Sequence, residues 1–306
     1  MIGYALRRLL SIIPTLLLVA TLAFVLLRLV PGGPFDAERV VPIEVKRALD
    51  AKYHLDDPVW KQYADWLSAL VFHGDLGPTT RYPNRTVNEI IGLSLPVSLQ
   101  LGGLGLLFAV VTGIPLGVAG ATRQNKAADH AAMGVALLGI SVPRFVLGPL
   151  LILVFSLGLY WFPAARWDSP RHMILPVVTA GLPMAAYVAR LTRAGMLEVI
   201  RSDFVRTARA KGLSEWVVIG KHALRGGLLP VVSYLGPGAS GLLVGSLVVE
   251  QIFNIPGMGR YFVEAASNRD YNLLLGVMLV YGALLMVLST LVDLVYAALD
   301  PRVSLR

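Results

Sequence analysis

The residues best suited to work outside a packed core fall in one short basic stretch, Ser202-Asp-Phe-Val-Arg-Thr-Ala-Arg-Ala-Lys-Gly-Leu-Ser-Glu, lying between two long apolar segments. The surrounding segment, from Glu198 to about Gly226, is too charged to enter a bilayer and is expected to lie at its surface. Ser202 is placed to cap a short helix. Gly212 is placed to end it, because glycine most readily takes the left-handed position beyond a helix C-terminus. Ser214 can then start a second helix through Val217, Ile219 and Leu224. A helix–Gly–helix elbow of this kind suits a handle gripped by a soluble partner. On charge alone, an ordinary basic loop beside a membrane would look the same.

Other chemistry is sparse. No G-x-x-x-x-G-K-[ST] phosphate loop is present, so ATP is not bound in that way. The chain has no Cys, and its five His residues (His54, His73, His130, His172, His222) have no metal-ligand spacing. The ionisable residues within apolar segments are Arg144, Glu250 and Asp293. A carrier driven by protons or sodium calls for acidic or His relays near the midplane, and usually for a repeat of spans. An intramembrane enzyme calls for a catalytic cluster at one depth, and Asp293 has no evident partner.

These residues must be positioned by membrane helices. Apolar residues make up 56% of the 306, charged residues 15%, and the mean hydropathy is +0.67. Six stretches can cross a hydrocarbon core of about 30 Å: Leu9–Val30, Leu95–Ala121, Met133–Trp161, Ile174–Leu197, Leu228–Glu250 and Leu273–Leu299. The third is over-long and carries Pro143 and Pro149, which predicts a tilt or kink. Glycine pairs such as Gly102-Gly103 within spans point to close helix packing rather than phosphate binding. The expected fold is an all-α integral membrane domain covering residues 1–306.

Basic residues set its orientation. Arg7 and Arg8 precede the first span, Arg123 and Lys126 follow the second, and Arg302 and Arg306 close the chain. With the cations of 198–226 they fall on one side if both termini are cytoplasmic. Segment 31–93 then lies on the opposite face. There Asp57-Pro58 opens a helix with Val59, Tyr63, Trp66, Leu67 and Leu70 on one side, after an earlier helix from Val41 to Lys52.

Arg206-Thr207-Ala208-Arg209-Ala210-Lys211-Gly212-Leu213-Ser214 closely resembles the "EAA" coupling loop of ABC importer permeases, in the form typical of the peptide and nickel group. Arg206 and Thr207 stand where the general pattern has Glu and Ala. A later Leu-Pro is replaced by Leu224-Arg225, with Pro230 further on. The likeness continues through Pro31-Gly32-Gly33-Pro34-Phe35, His73-Gly74-Asp75-Leu76-Gly77, Leu191-Thr192-Arg193, the run Glu250 to Arg260 and Asp300-Pro301-Arg302. In that order these motifs look like an oligopeptide-transporter permease.

The resemblance implies six spans, no catalysis in this chain, and residence in a bacterial inner membrane with both termini cytoplasmic. It also implies a second homologous permease, two ATPase subunits that carry the ATP and magnesium, and an extracytoplasmic solute-binding protein, with no nucleic acid involved. Residues 206–214 would meet the ATPases. Arg144 is read from its own position: a guanidinium after Pro143 in the third span either makes a local structural contact or snorkels to the outer interface, or it lines the path as a cation that meets a peptide's carboxylate. Peptides lead as substrate; nickel chelates, glycosides or another small solute are the alternatives.

Overall fold

The computed structural model describes residues 2–30, 32–35 and 43–299. Among these the regular elements are helical, with one isolated antiparallel bridge between Pro78 and Thr86. Five helices are long and apolar enough to cross a bilayer, and a bent pair supplies a sixth candidate span. In order they are α1 (Ile2–Leu29), α4 (Val87–Thr122), the pair α5 (Ala127–Ser141) and α6 (Arg144–Leu151), α7 (Pro170–Ile200), α11 (Leu229–Ile252) and α13 (Tyr271–Leu299). The shorter helices are α2 (Ile43–Lys52), α3 (Val59–Ser68), α8 (Asp203–Ala210), α9 (Glu215–Val217), α10 (Leu224–Gly227) and α12 (Met258–Asn268).

The anticipated kink in the third span is a full break. α5 and α6 meet at 109°, and the cause is local. Pro143 disfavours the helical conformation in the residue before it, and Val142 is extended at φ −87°, ψ 116°. Beyond Leu151 the helix widens into π turns over Ile152–Gly158.

The chain forms two compact units. The first holds residues up to 97 together with 256–287. In it the aromatic face of α3 packs onto α1: Tyr63 and Trp66 lie 5.2 and 6.0 Å from the ring of buried Phe24, and the Tyr63 and Thr21 hydroxyls are 2.6 Å apart. Val59, expected on that face, is exposed. Pro58 is the N-cap residue rather than the first helical one, and Val41 lies outside the described residues.

The second unit holds residues 98–255 and 288–299, and α7 is its most buried long helix. Small residues bring α4 close to it. A Cβ on Gly113 would stand 2.6 Å from the Ala185 carbonyl, and one on Gly117 2.5 Å from that of Ala189. Lipid removes most of the hydrophobic drive between helices, so close backbone approach through small side chains takes its place. Gly102 likewise meets Leu242 and Leu243 of α11.

Candidate functional site

The elbow forms as a short helix, a left-handed glycine and a second helical run. Asp203 in the first turn and Arg209 in the last suit the dipole of α8. Ser202 is extended, as a residue before a helix should be, but its hydroxyl donates to the Val199 carbonyl at 2.6 Å and caps nothing. Ser214 likewise makes no side-chain cap. Gly212 has φ +75°, and its N–H donates to the Arg209 carbonyl at 2.9 Å. Arg209 then reaches across the turn to Glu215, 2.8 Å from Nη2 to Oε1. The second helix begins as α9, widens into π turns over Val218–Ala223, and ends as α10.

The two faces of α8 differ. Val205 and Ala208 are buried with Ala121, Met196, Val218 and Ala223. Ala208, at 6% exposed, seats the elbow on the chain itself, while Arg206, Thr207, Arg209, Ala210, Lys211, Gly212, Leu213 and Ser214 remain outside. Two outward residues escaped the sequence reading. Phe204 is 52% exposed and Trp216 89% exposed. The available signal was aromatic residues standing among charges just beyond a span, where no apolar core calls for them.

The elbow's base is tied to neighbouring helices. Arg193 of α7 makes a two-pronged bond to Asp129 of α5, Nε to Oδ1 at 2.6 Å and Nη2 to Oδ2 at 2.7 Å. The Asn125 N–H donates to the same carboxylate at 2.9 Å. Arg201 donates to the Gln124 side chain at 2.8 Å.

Arg144 is the first residue of α6 and is partly buried. Among the described residues it makes no ion pair. Elsewhere in the same unit the Tyr234 ring of α11 packs 5.5 Å from that of Tyr187 on α7. Glu250 is buried and accepts from the Ser246 hydroxyl at 3.0 Å. The side chain of Asp293 lies outside the described part of the structure, as do Arg302 and Arg306. Among the described residues no three His, Asp or Glu side chains gather as metal ligands.

In the first unit, two segments distant in sequence are stapled together. Asp270 is buried and accepts from the Thr79 hydroxyl, from the Thr80 and Arg81 amides at 3.1 and 3.2 Å, and from the Leu273 amide that opens α13. Tyr82 donates to Glu264, which also takes the Arg260 Nε at 2.7 Å. Burial, and then the bond to Glu264, push the Tyr82 phenol up. Burial alone would raise the Glu264 carboxyl, but donation from Tyr82 and Arg260 outweighs it and holds the group below its ordinary value.

The family of binding-protein-dependent transport system inner membrane components matches residues 113–305. The oligopeptide transport system permease protein OppB of Salmonella typhimurium is 45% identical over 99% of both chains. The dipeptide transport system permease protein DppB of Bacillus subtilis is also 45% identical, over 100% of this chain and 99% of that one. A chain of the MetNI methionine ABC transporter superposes with a TM-score of 0.59 at 16% identity, covering 69% of this chain and 96% of the other. One from an amino acid ABC transporter gives 0.54 at 18%, covering 68% and 94%. At those identities the likeness is one of fold, and it matches the helical membrane architecture. On the sequence match, with its helices long and apolar enough to span a bilayer, this chain belongs to the binding-protein-dependent transport system inner membrane component family.

Proposed function

We propose that the chain is the permease subunit of an ATP-driven importer of peptides, oligopeptides first among them, in the bacterial inner membrane. The observation that carries this reading is the end-to-end likeness, at 45% identity, to permeases named for oligopeptide and dipeptide transport. The elbow supports it. α8 is anchored by few buried side chains, Val205 and Ala208, and ends at a left-handed glycine, so it can move as a rigid unit.

In this reading a second permease completes the path and a solute-binding protein delivers the peptide. Two ATPase subunits, which hold the ATP and magnesium, grip the outer face of residues 204–216. Closing them pushes α8 against Met196 of α7 and Ala121 of α4. The Arg193–Asp129 bond passes the movement to α5. Both termini and the elbow lie in the cytoplasm, and the binding protein docks where 76–88 and 256–272 are stapled together.

The test is reconstitution of the whole transporter in liposomes. ATP-dependent uptake of a labelled peptide, stimulated by loaded binding protein, is the expected result. Uptake of a nickel chelate or a glycoside in its place would overturn the peptide assignment.

A further inference from the structure

In the first unit α3 runs along the side of α1, from Gln62, which accepts from Arg28, to Tyr63 beside Thr21. It then widens into a π turn over Ala69–His73 and stops at Gly74, which takes φ +63°. Below this turn a hollow of about 330 Å³ opens between residues 13–20 of α1, residues 70–76 and residues 279–283 of α13. Its volume is that of a small-ligand pocket, and none of the residues lining it has a polar side chain. Ala20 and Leu76 are buried at its floor, and Ile13 and Leu17 are exposed at its rim. The hollow lies beside the middle of two candidate spans. Ala20 is about 15 Å along α1 from Leu10 and about 14 Å from Leu29, and Val280 is about 14 Å along α13 from Tyr271.

The lining decides what fits. Water needs polar partners, which this hollow lacks. A peptide would leave its backbone groups unpaired there. Left empty, the hollow forfeits dispersion contacts along its walls. A whole helix, about 10 Å across, is too wide to enter. The surrounding surface also suits lipid better than a second helix. Close helix partners in membranes meet through small residues, yet Ala20 and Ala23 are turned inward while Leu18, Leu22 and Leu26 are exposed. Next to the hollow Val71 and Phe72 are exposed as well, Phe72 at 79%. His73 and Asp75 are exposed beside Gly74 but do not line the hollow. We propose that the hollow between α1, residues 70–76 and α13 is a binding site for the acyl chain of a membrane phospholipid. It is independent of which solute the permease carries.

The experiment uses the complete transporter in liposomes of phosphatidylethanolamine and phosphatidylglycerol. A trace of phosphatidylethanolamine carries a diazirine near the end of one acyl chain, and peptide mass mapping after irradiation locates the label. Leu107 and Val111 of α4, both exposed on a candidate span, supply the reference for ordinary bilayer contact. Label on 13–20, 70–76 and 279–283 should exceed that reference several-fold. Ala283→Phe, which fills the hollow, should bring the label there down to the reference or below and leave Leu107 and Val111 unchanged. Ile13→Trp, a plug at the exposed rim, serves if Ala283→Phe does not assemble. Label equal to the reference and indifferent to either plug would mean ordinary bilayer contact and overturn the site. Absence of label from the hollow would mean that a protein neighbour covers it, and would overturn the site as well. So would labelling by a diazirine fatty acid where the phospholipid gives none.

Discussion

Arg193 holds both carboxylate oxygens of Asp129, at 2.6 and 2.7 Å, and so joins α7 to the start of α5 beside the elbow. Asp129 is 2% exposed. Its remaining capacity is taken by the Asn125 amide, which makes this a satisfied buried pair. Removing one member of such a pair strands the other charge. Asp129→Ala should therefore lower the melting temperature, less than for a fully enclosed pair because Arg193 keeps some contact with water. Thermal unfolding in detergent measures it. Partial recovery in Asp129→Ala combined with Arg193→Met would confirm that the stranded guanidinium is the cause, and an unchanged midpoint in the single variant would refute the role given to the pair.

Gly212 meets nothing within 4 Å where a Cβ would stand, so only its backbone conformation resists substitution. Gly212→Val should cost roughly 1–2 kcal/mol locally at φ +75° and leave the spans inserted. Transport, and stimulation of ATP hydrolysis by loaded binding protein, should fall together. Normal coupling in this variant would remove the elbow from the mechanism.

The two faces of the elbow should fail differently. Trp216→Ala should change thermal stability by less than about 0.5 kcal/mol, as for other exposed sites, yet weaken binding of the ATPase subunits about tenfold or more. Ala208→Leu should instead lower stability by about 1–3 kcal/mol through overpacking. Pull-down with purified ATPase subunits and melting curves separate the two outcomes, and equal behaviour would contradict the assignment of faces.

The Tyr82–Glu264–Arg260 cluster predicts a pH dependence with opposite signs at its two ends. Glu264 titrates below its ordinary 4.5 in the folded chain, so its contribution is complete above pH 4.5 and is lost as pH falls through the lower folded value. Tyr82 titrates above its ordinary 10.0, so its contribution is complete below pH 10.0 and is lost as pH rises through the higher folded value. Arg260 remains charged throughout, and Arg81 and Tyr261 complete the titrating surroundings. The difference in melting temperature between native protein and Glu264→Gln should be flat between these limits and shrink on the acid side. A difference independent of pH would exclude the network as its source.

Sidedness is open to direct labelling, since the chain has no Cys. Asp65→Cys and Ser267→Cys, both exposed, should react with an impermeant maleimide added outside the cell, and Leu213→Cys only after the cytoplasm is opened. Reaction of the first two from the cytoplasmic side alone would invert the topology.

Hydrophobic run length and Pro143 were enough to read six candidate spans and the site of the interrupted one, because insertion into lipid depends on local composition and Pro acts on its immediate neighbour. Gly212 was legible for the same reason, as its left-handed turn is a property of a few consecutive residues. The partners of Asp129, Asp270 and Tyr234 were not legible. Each lies on another element, as with Arg193, Thr79 and Tyr187, and nothing in the spacing along one helix specifies which side chain of another will meet it. The same limit hid the two faces of α8: Ala208 and Ala210 are alike as residues, and only the packing of Val205 and Ala208 against α4, α7 and the second helical run buries one and leaves the other exposed.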